Sequence, residues 1–257
     1  MKHISVAIVT YNNEKTIART IESLLLYWPQ FTERKLYVID NGSQDKTLEI
    51  ISSYQDRLTV ISSPSGNVGF GSAHNLVLPY LDTDYHIIMN PDVTILDNYS
   101  IERMTQYLDG HTEVGMVVPQ ILDEAGTLQY LCRRNPTILD LTIRFLPGKL
   151  MPKRQAFHTM KDFDYARPFP VEFASGCFMM IRTSLFRSLH GFDEKFFLYA
   201  EDADLTRRVN MIMRTDYVPT AKVCHLWERA SYRSLKMMRI HLKSLHTYFK
   251  KWGCRLK

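Results

Sequence analysis

Cysteine is scarce in this sequence. The four present, Cys132, Cys177, Cys224 and Cys254, stand 30 to 47 residues apart, which is neither a disulfide framework nor a zinc-ligand spacing. A reducing compartment is the expectation. No apolar run reaches the ~18 residues that a membrane-spanning helix requires. The uncharged stretch from Leu58 to Leu81 is broken by Ser, Pro, Gly and Asn. The leading run to Val9 is too short for a signal peptide, and no small-residue cleavage site follows it. Acidic residues vanish near the end: from Arg229 to Lys257 there are nine Lys or Arg and no Asp or Glu. The net charge of +5 therefore hides a mildly acidic body and a strongly basic tail. Such a tail seeks an anionic surface, either membrane or nucleic acid.

What is present is an ordinary globular composition. Hydrophobic residues make up 45%, charged residues 23% and aromatic residues 12% of 257 positions, so disorder and fibrous repeats are excluded for the chain as a whole. The length suffices for a sizeable core.

The first 120 residues alternate strand-like and helix-like segments. Ile4 to Val9, Leu36 to Ile39, Thr59 to Ile61 and His86 to Met89 read as strands. Helices are expected after Asn12 or Asn13 as a cap, after Ser43 as a cap, and from Ser72 to Leu81. This alternation predicts a parallel α/β sheet with right-handed crossovers. Ligands bind such sheets at the carboxyl ends of strands, so Asp40 and Asp92 are expected to share a crevice. From about 120 to 170 the pattern weakens. Arg133 to Pro136 and Pro147 to Pro170 read as irregular loops, either a mobile acceptor lid or plain surface connections.

Several motifs in order carry a resemblance. Val9-Thr10-Tyr11-Asn12, Val38 to Asp45, Asn67 to Gly71, Met89-Asn90-Pro91-Asp92-Val93 and Phe197 to Leu205 resemble inverting family 2 glycosyltransferases with the GT-A fold. His241 to Ser244 followed by Tyr248 resembles rhamnosyltransferases that build O-antigen polysaccharide. The resemblance implies an α/β, Rossmann-like, mostly parallel central sheet flanked by helices, with a basic amphipathic C-terminal helix. It implies a catalytic domain over residues 1–228, with a nucleotide-sugar half to about 118 and an acceptor half beyond, followed by a helical tail over 229–257.

The same resemblance distributes roles. Thr10, Tyr11, Asn12, Asp40, Asn41, Gly69, His74, Asn75 and Asn90 are expected on the donor, a nucleotide-diphosphate sugar carrying dTDP or UDP. Read from the residues alone, Asp40, Asn41 and Ser43 could equally form only a turn and a helix cap, and Gly66 to Gly71 only a tight turn. Asn90-Pro91-Asp92 occupies the place of a metal-binding Asp-x-Asp with its first charge lost. Asp92 and His225 are the expected ligands of Mn²⁺ or Mg²⁺. Asp202 is the expected base that takes the acceptor hydroxyl's proton, with Glu201 beside it. Asp204 is expected to pair with Arg207 or Arg208. Cys177 has no partner base and no covalent role.

In the tail, Leu235, Met238, Leu242, Leu245, Phe249 and Trp252 form one helical stripe beside Lys236, Arg239, Lys243 and Lys250. Such a helix either lies on an anionic membrane or packs on the catalytic domain. The function implied is inverting transfer of L-rhamnose from dTDP-rhamnose to a polyprenyl-diphosphate-linked saccharide, by a cytoplasmic protein held at the inner face of the membrane. The alternatives are a UDP-hexose donor or a catalytically silent nucleotide-sugar-binding scaffold. The acidic body argues against nucleic acid as a partner, and Thr-Tyr-Asn-Asn after the first strand argues against a nicotinamide site.

Overall fold

The computed structural model describes residues 2–29, 32–140, 151–226 and 235–254. β1 (Lys2–Thr10), β2 (Thr32–Asp40), β3 (Thr59–Ser62) and β4 (Tyr85–Met89) carry the first half. β1 pairs in parallel with both β2 and β4, and β2 with β3. The β-branched and aliphatic side chains of β1, β4 and the second half of β2 are buried because helices cover both faces, while Val60 and Ile61 of β3 are half-buried. Ile4, Val6 and Ile8 face one core cluster and Ala7 and Val9 the other, as the two-residue period requires.

The expected helices form with adjusted starts. α1 (Ile17–Leu26) buries Ile17, Thr20, Ile21 and Leu24. Neither Asn12 nor Asn13 caps it with a side chain; the Asn13 carbonyl accepts from Thr16 and Ile17 instead. α2 (Thr47–Ser52) starts after Asp45, whose Oδ1 accepts from Thr47 N, not at Ser43. The helix expected from Ser72 to Leu81 breaks into α3 (Phe70–Asn75) and a 3-10 turn over Leu78–Tyr80, because Pro79 has no N–H to continue the ladder.

The second half turns the sheet mixed. β5 (Val93–Ile95), α4 (Ser100–Gly110), β6 (Val114–Leu122), α5 (Pro152–His158), β7 (Phe169–Pro170), β8 (Phe178–Arg182), α6 (Thr183–Ser188), α7 (Glu201–Asn210), β9 (Arg214–His225) and α8 (Leu235–Trp252) follow. Among the described residues nine strands form one sheet in the order β3-β2-β1-β4-β8-β6-β9-β5, with β7 on β9. β8 runs antiparallel between β4 and β6, β6 is parallel to β9, and β5 and β7 are antiparallel to β9.

The segment before β7 is more ordered than its weak periodicity suggests. α5 forms there, and Phe163, Tyr165, Phe169 and Tyr217 pack ring against ring. The first part of the expected Pro147–Pro170 loop, through 150, lies outside the described residues, as do 227–234 and 255–257 of the basic tail.

α8 packs on the body with an edge that hydropathy alone does not pick. His241, Ser244, Leu245 and Tyr248 are buried, while Met238 and Leu242 are 40% and 51% exposed. The expected apolar stripe is thus split between a docked edge and a free one. The buried polar groups find partners on the body of the fold, which compensates their loss of water.

Candidate active site

Strand register brings the predicted residues to one edge of the sheet. Thr10 and Asp40, the last residues of β1 and β2, are direct neighbours. Met89, the last of β4, lies beside Ile8 and opposite Phe178, the first of β8. Asn90 and Asp92 therefore emerge next to Ser175-Gly176-Cys177.

The β1 and β2 turns are stitched together. Asn12, at φ 57°, accepts from Gln44 N at 2.8 Å and donates its own N–H to Ser43 Oγ at 3.0 Å. Asn13 N donates to Thr47 Oγ1 at 2.8 Å. Thr10 is buried and donates to Asn13 Oδ1. Asp40, also buried, accepts from the N–H groups of Gly42 and Ser43. Tyr11 is 44% exposed beside them.

Asn41 reaches the next loop: its Nδ2 donates to Asn67 Oδ1 and to the Gly69 carbonyl, and its Oδ1 accepts from Val68 N at 3.0 Å. Gly69 makes an approach of a kind the sequence did not disclose. At φ +94°, a Cβ there would stand 2.3 Å from the Phe197 carbonyl oxygen, which accepts from Phe70 N at 2.9 Å. The glycine admits the chain's own backbone, from the segment that leads to Asp202.

His74 and Asn75 lie behind this loop. His74 is 0% exposed and packs edge-on to Phe70, 5.7 Å from the Phe192 ring. Burial holds its pKa well below the usual imidazole value, so it is neutral. Asn75 is spent on the Phe192 backbone, donating to its carbonyl and accepting from its N–H. Both side chains build the wall instead of facing open space.

Asn90 N donates to the Cys177 carbonyl at 2.9 Å. Two residues on, Asp92 Oδ2 lies 3.4 Å from His225 Nε2. Val93 opposite His225 in the β5–β9 pairing sets this distance. Asp92 Oδ1 and His225 Nδ1 are buried without a hydrogen-bond partner. Buried polar atoms without partners are costly, and a mixed carboxylate–imidazole pair would suit a divalent cation. Among the described residues no group of three or more His, Cys, Asp or Glu is arranged for a metal ion, so there this pair stands without a third such side chain.

The acidic cluster opens α7. Asp202 Oδ2 accepts from Gly176 N at 3.1 Å and Oδ1 from Ala203 N at 2.9 Å. Burial pushes the Asp202 carboxyl above its usual range, while the Gly176 N–H and the Arg133 charge pull the other way. Glu201 is buried with Oε2 unpartnered. Burial and the neighbouring Asp202 charge hold its pKa well above the ordinary value. Asp204 is fully buried and pairs with Arg208 at 2.8 Å. The Cys177 thiol, pushed up to about 12 by burial, feels both Asp92 and Asp202. Cys177 therefore stays an unreactive thiol.

Beyond His225 a cavity of about 1080 Å³ opens, lined among others by Gln129, Tyr130, Arg133, Gln155 and Lys161. Arg133 is fixed there by backbone pairing with Phe173 and by its guanidinium 5.5 Å from that ring's centre. Sequence reading saw Arg133 only as part of a loop. The double Arg before Pro136 was the available signal, but its partner on the 173 strand lies too far along the chain to infer.

Residues 5–189 match the family model described as Glycosyl transferase family 2. The chain is similar to "Rhamnosyltransferase WbbL" of Escherichia coli, at 28% identity over 95% of this chain and 92% of the relative. It is similar to an "N-acetylglucosaminyl-diphospho-decaprenol L-rhamnosyltransferase" of Mycobacterium tuberculosis, at 30% identity over 86% and 75%. Among solved structures, Staphylococcus aureus TarS 1–349 superposes with TM-score 0.61 at 19% identity, covering 97% of this chain and 72% of that one. The mannosyltransferase PcManGT of Pyrobaculum calidifontis, solved with GDP-Man and Mn²⁺, superposes with TM-score 0.66 at 15% identity, covering 96% and 64%. The fold is GT-A.

Proposed function

The chain belongs to glycosyl transferase family 2 and is a glycosyltransferase, and from that premise we propose that it transfers L-rhamnose, with inversion, from dTDP-rhamnose to a saccharide on a polyprenyl diphosphate. The relatives named for rhamnosyl transfer, one of them to a decaprenol-linked sugar, support this donor and this class of acceptor. The observation that carries the reaction is that the segments of both acids meet at Gly176–Cys177: Asn90, two residues before Asp92, donates its N–H to the Cys177 carbonyl, and Asp202 accepts from Gly176 N.

In that reading the donor lies along the ends of β1 and β2, with Thr10, Tyr11, Asn12, Asp40, Asn41 and the Gly69 loop around its nucleoside. Asp92 and His225 hold a divalent cation, Mn²⁺ or Mg²⁺, which when bound neutralises charge on the diphosphate. Asn90 offers a neutral carbonyl nearby. Asp202 takes the proton of the acceptor hydroxyl as its oxygen attacks the anomeric carbon. The bond to the nucleotide breaks, and its electron pair leaves on the diphosphate. Burial suits Asp202 to this work, because a base is most effective when its pKa approaches the working pH. Arg133 and the cavity beyond His225 receive the acceptor.

The exposed edge of α8 supports contact with an anionic membrane. Met238 and Leu242 share a free face with Lys236, Arg239, Lys243 and Lys250, a pattern suited to lying in a lipid interface. No helix among the described residues is long and apolar enough to cross a membrane. The donor assignment is tested with a panel of nucleotide sugars, reading released dTDP or UDP. Turnover only with a UDP-hexose overturns the rhamnose assignment, and binding without turnover returns the chain to a scaffold.

A further inference from the structure

The backbone is strained where it turns into α7. Tyr199 and Ala200, adjacent residues that are not glycine, lie at φ 71° and 66°. L side chains rarely adopt this region, and such conformations persist only where the surroundings over-determine them. Glu201 and Asp202 follow at once, so these two torsions set the direction in which α7 leaves the sheet edge.

α8 is bound to both sides of that turn. Before it, Ser244 Oγ donates to the Leu198 carbonyl at 2.8 Å, and the His241 ring stacks on Tyr199 with centroids 4.6 Å apart. After it, Trp252 Nε1 donates to Asp204 Oδ1 at 2.8 Å, and Lys251 Nζ spans Asp193 and Asp204 at 2.7 Å each. Tyr248 fills the middle. It is buried with Phe173, Phe196 and Ala203, and Ala200 packs on the same cluster. Its hydroxyl accepts from Arg207 Nη1 at 3.3 Å and donates to Asn135 Oδ1 at 3.2 Å. Asn135 stands two residues from Arg133, so one side chain ties the acceptor loop to the catalytic helix.

These α8 contacts converge on the turn that aims Asp202. We propose that α8 is a clamp that holds the Tyr199–Ala200 turn in its left-handed form and so positions Asp202, with His241, Ser244 and Tyr248 as positioning residues for the transfer. This rests on the reading of Asp202 as the base.

The test is a double variant, Ser244→Ala with Tyr248→Phe, in the full chain. It removes the three hydrogen bonds and keeps the ring packing. We expect kcat to fall about tenfold, equivalent to about 1.4 kcal/mol on the barrier, with donor KM held within about twofold. Adding Ala200→Gly, which adopts a left-handed φ without strain, should restore most of the lost kcat. An unchanged kcat overturns the clamp. So does a fall in kcat that tracks a rise in donor KM and a lower melting temperature and that Ala200→Gly leaves unrestored, because that is loss of general stability. Asp202→Asn assayed in parallel separates the two ideas. Activity retained there removes the base, whereas an inactive Asp202→Asn with a fully active double variant removes the clamp alone.

Discussion

Gly176 and Asp202 meet with no room between them: the glycine N–H donates to the carboxylate at 3.1 Å, and a Cβ on Gly176 would stand 3.3 Å from Asp202 Cβ and 3.5 Å from the Phe70 ring. Gly176→Ala therefore presses on Asp202, the proposed base. We expect a loss in kcat of about tenfold, with donor KM little changed and a modest fall in melting temperature. Steady-state kinetics at saturating acceptor check it, and a wild-type kcat would show that Asp202 has slack.

Asp202→Asn should lower kcat by about 10²–10⁴-fold, the usual worth of a positioned base, while donor affinity measured by calorimetry stays close to wild type. In the wild type, the base must be ionised. Because burial raises its pKa, kcat should decline on the acid side with an apparent pKa above the ordinary aspartate range. A limb at the ordinary value would place Asp202 in contact with water during turnover.

Glu201 makes the complementary prediction for stability. Its folded pKa is raised well above the unfolded value. A raised pKa stabilises the fold below the unfolded value, and that contribution is lost as pH climbs through the folded one. Glu201→Gln does not titrate. Its melting temperature relative to wild type should therefore rise as pH climbs from the ordinary glutamate range through the raised folded pKa, by about 2–4 °C for each kcal/mol relieved. A pH-independent difference would mean that Glu201 stays ionised in the fold.

His225→Ala should shift the Mn²⁺ activation curve to higher concentration by roughly tenfold or more, the scale on which disturbed metal surroundings act. An unchanged titration removes the imidazole from the metal.

Leu242→Glu places an acid on the free edge of α8. Binding to vesicles containing anionic lipid should weaken about tenfold or more and fall with added salt, while turnover on a soluble acceptor analogue is preserved. Equal vesicle binding would locate membrane contact elsewhere.

The parallel half of the fold was readable because each strand is short, apolar and separated by a helix with a 3.6-residue period. Direction was not readable for Phe178 to Ile181. A buried apolar run looks the same whichever way it points, and only pairing with His86 to Met89 reveals that it runs antiparallel. In the site, Asp40, Asp92 and Asp202 were legible from their motifs. What holds them was less so. Gly69 showed that something comes close, but its neighbour is Phe197, 128 residues away. α8 shows the same limit. Hydropathy drew one stripe through Met238, Leu242 and Leu245, of which Leu245 is docked and the other two are exposed; the docked edge adds His241, Ser244 and Tyr248, whose partners on the body no periodicity encodes.

The reversal of β8 has a chemical result. An edge made only of parallel strand ends delivers chain leaving the sheet, and hydrogen-bond acceptors crowd it. Inserting a strand of opposite polarity brings a beginning to that rim, so a glycine amide can point at a carboxylate there. Strand beginnings set among strand ends give the rim both signs of polarity.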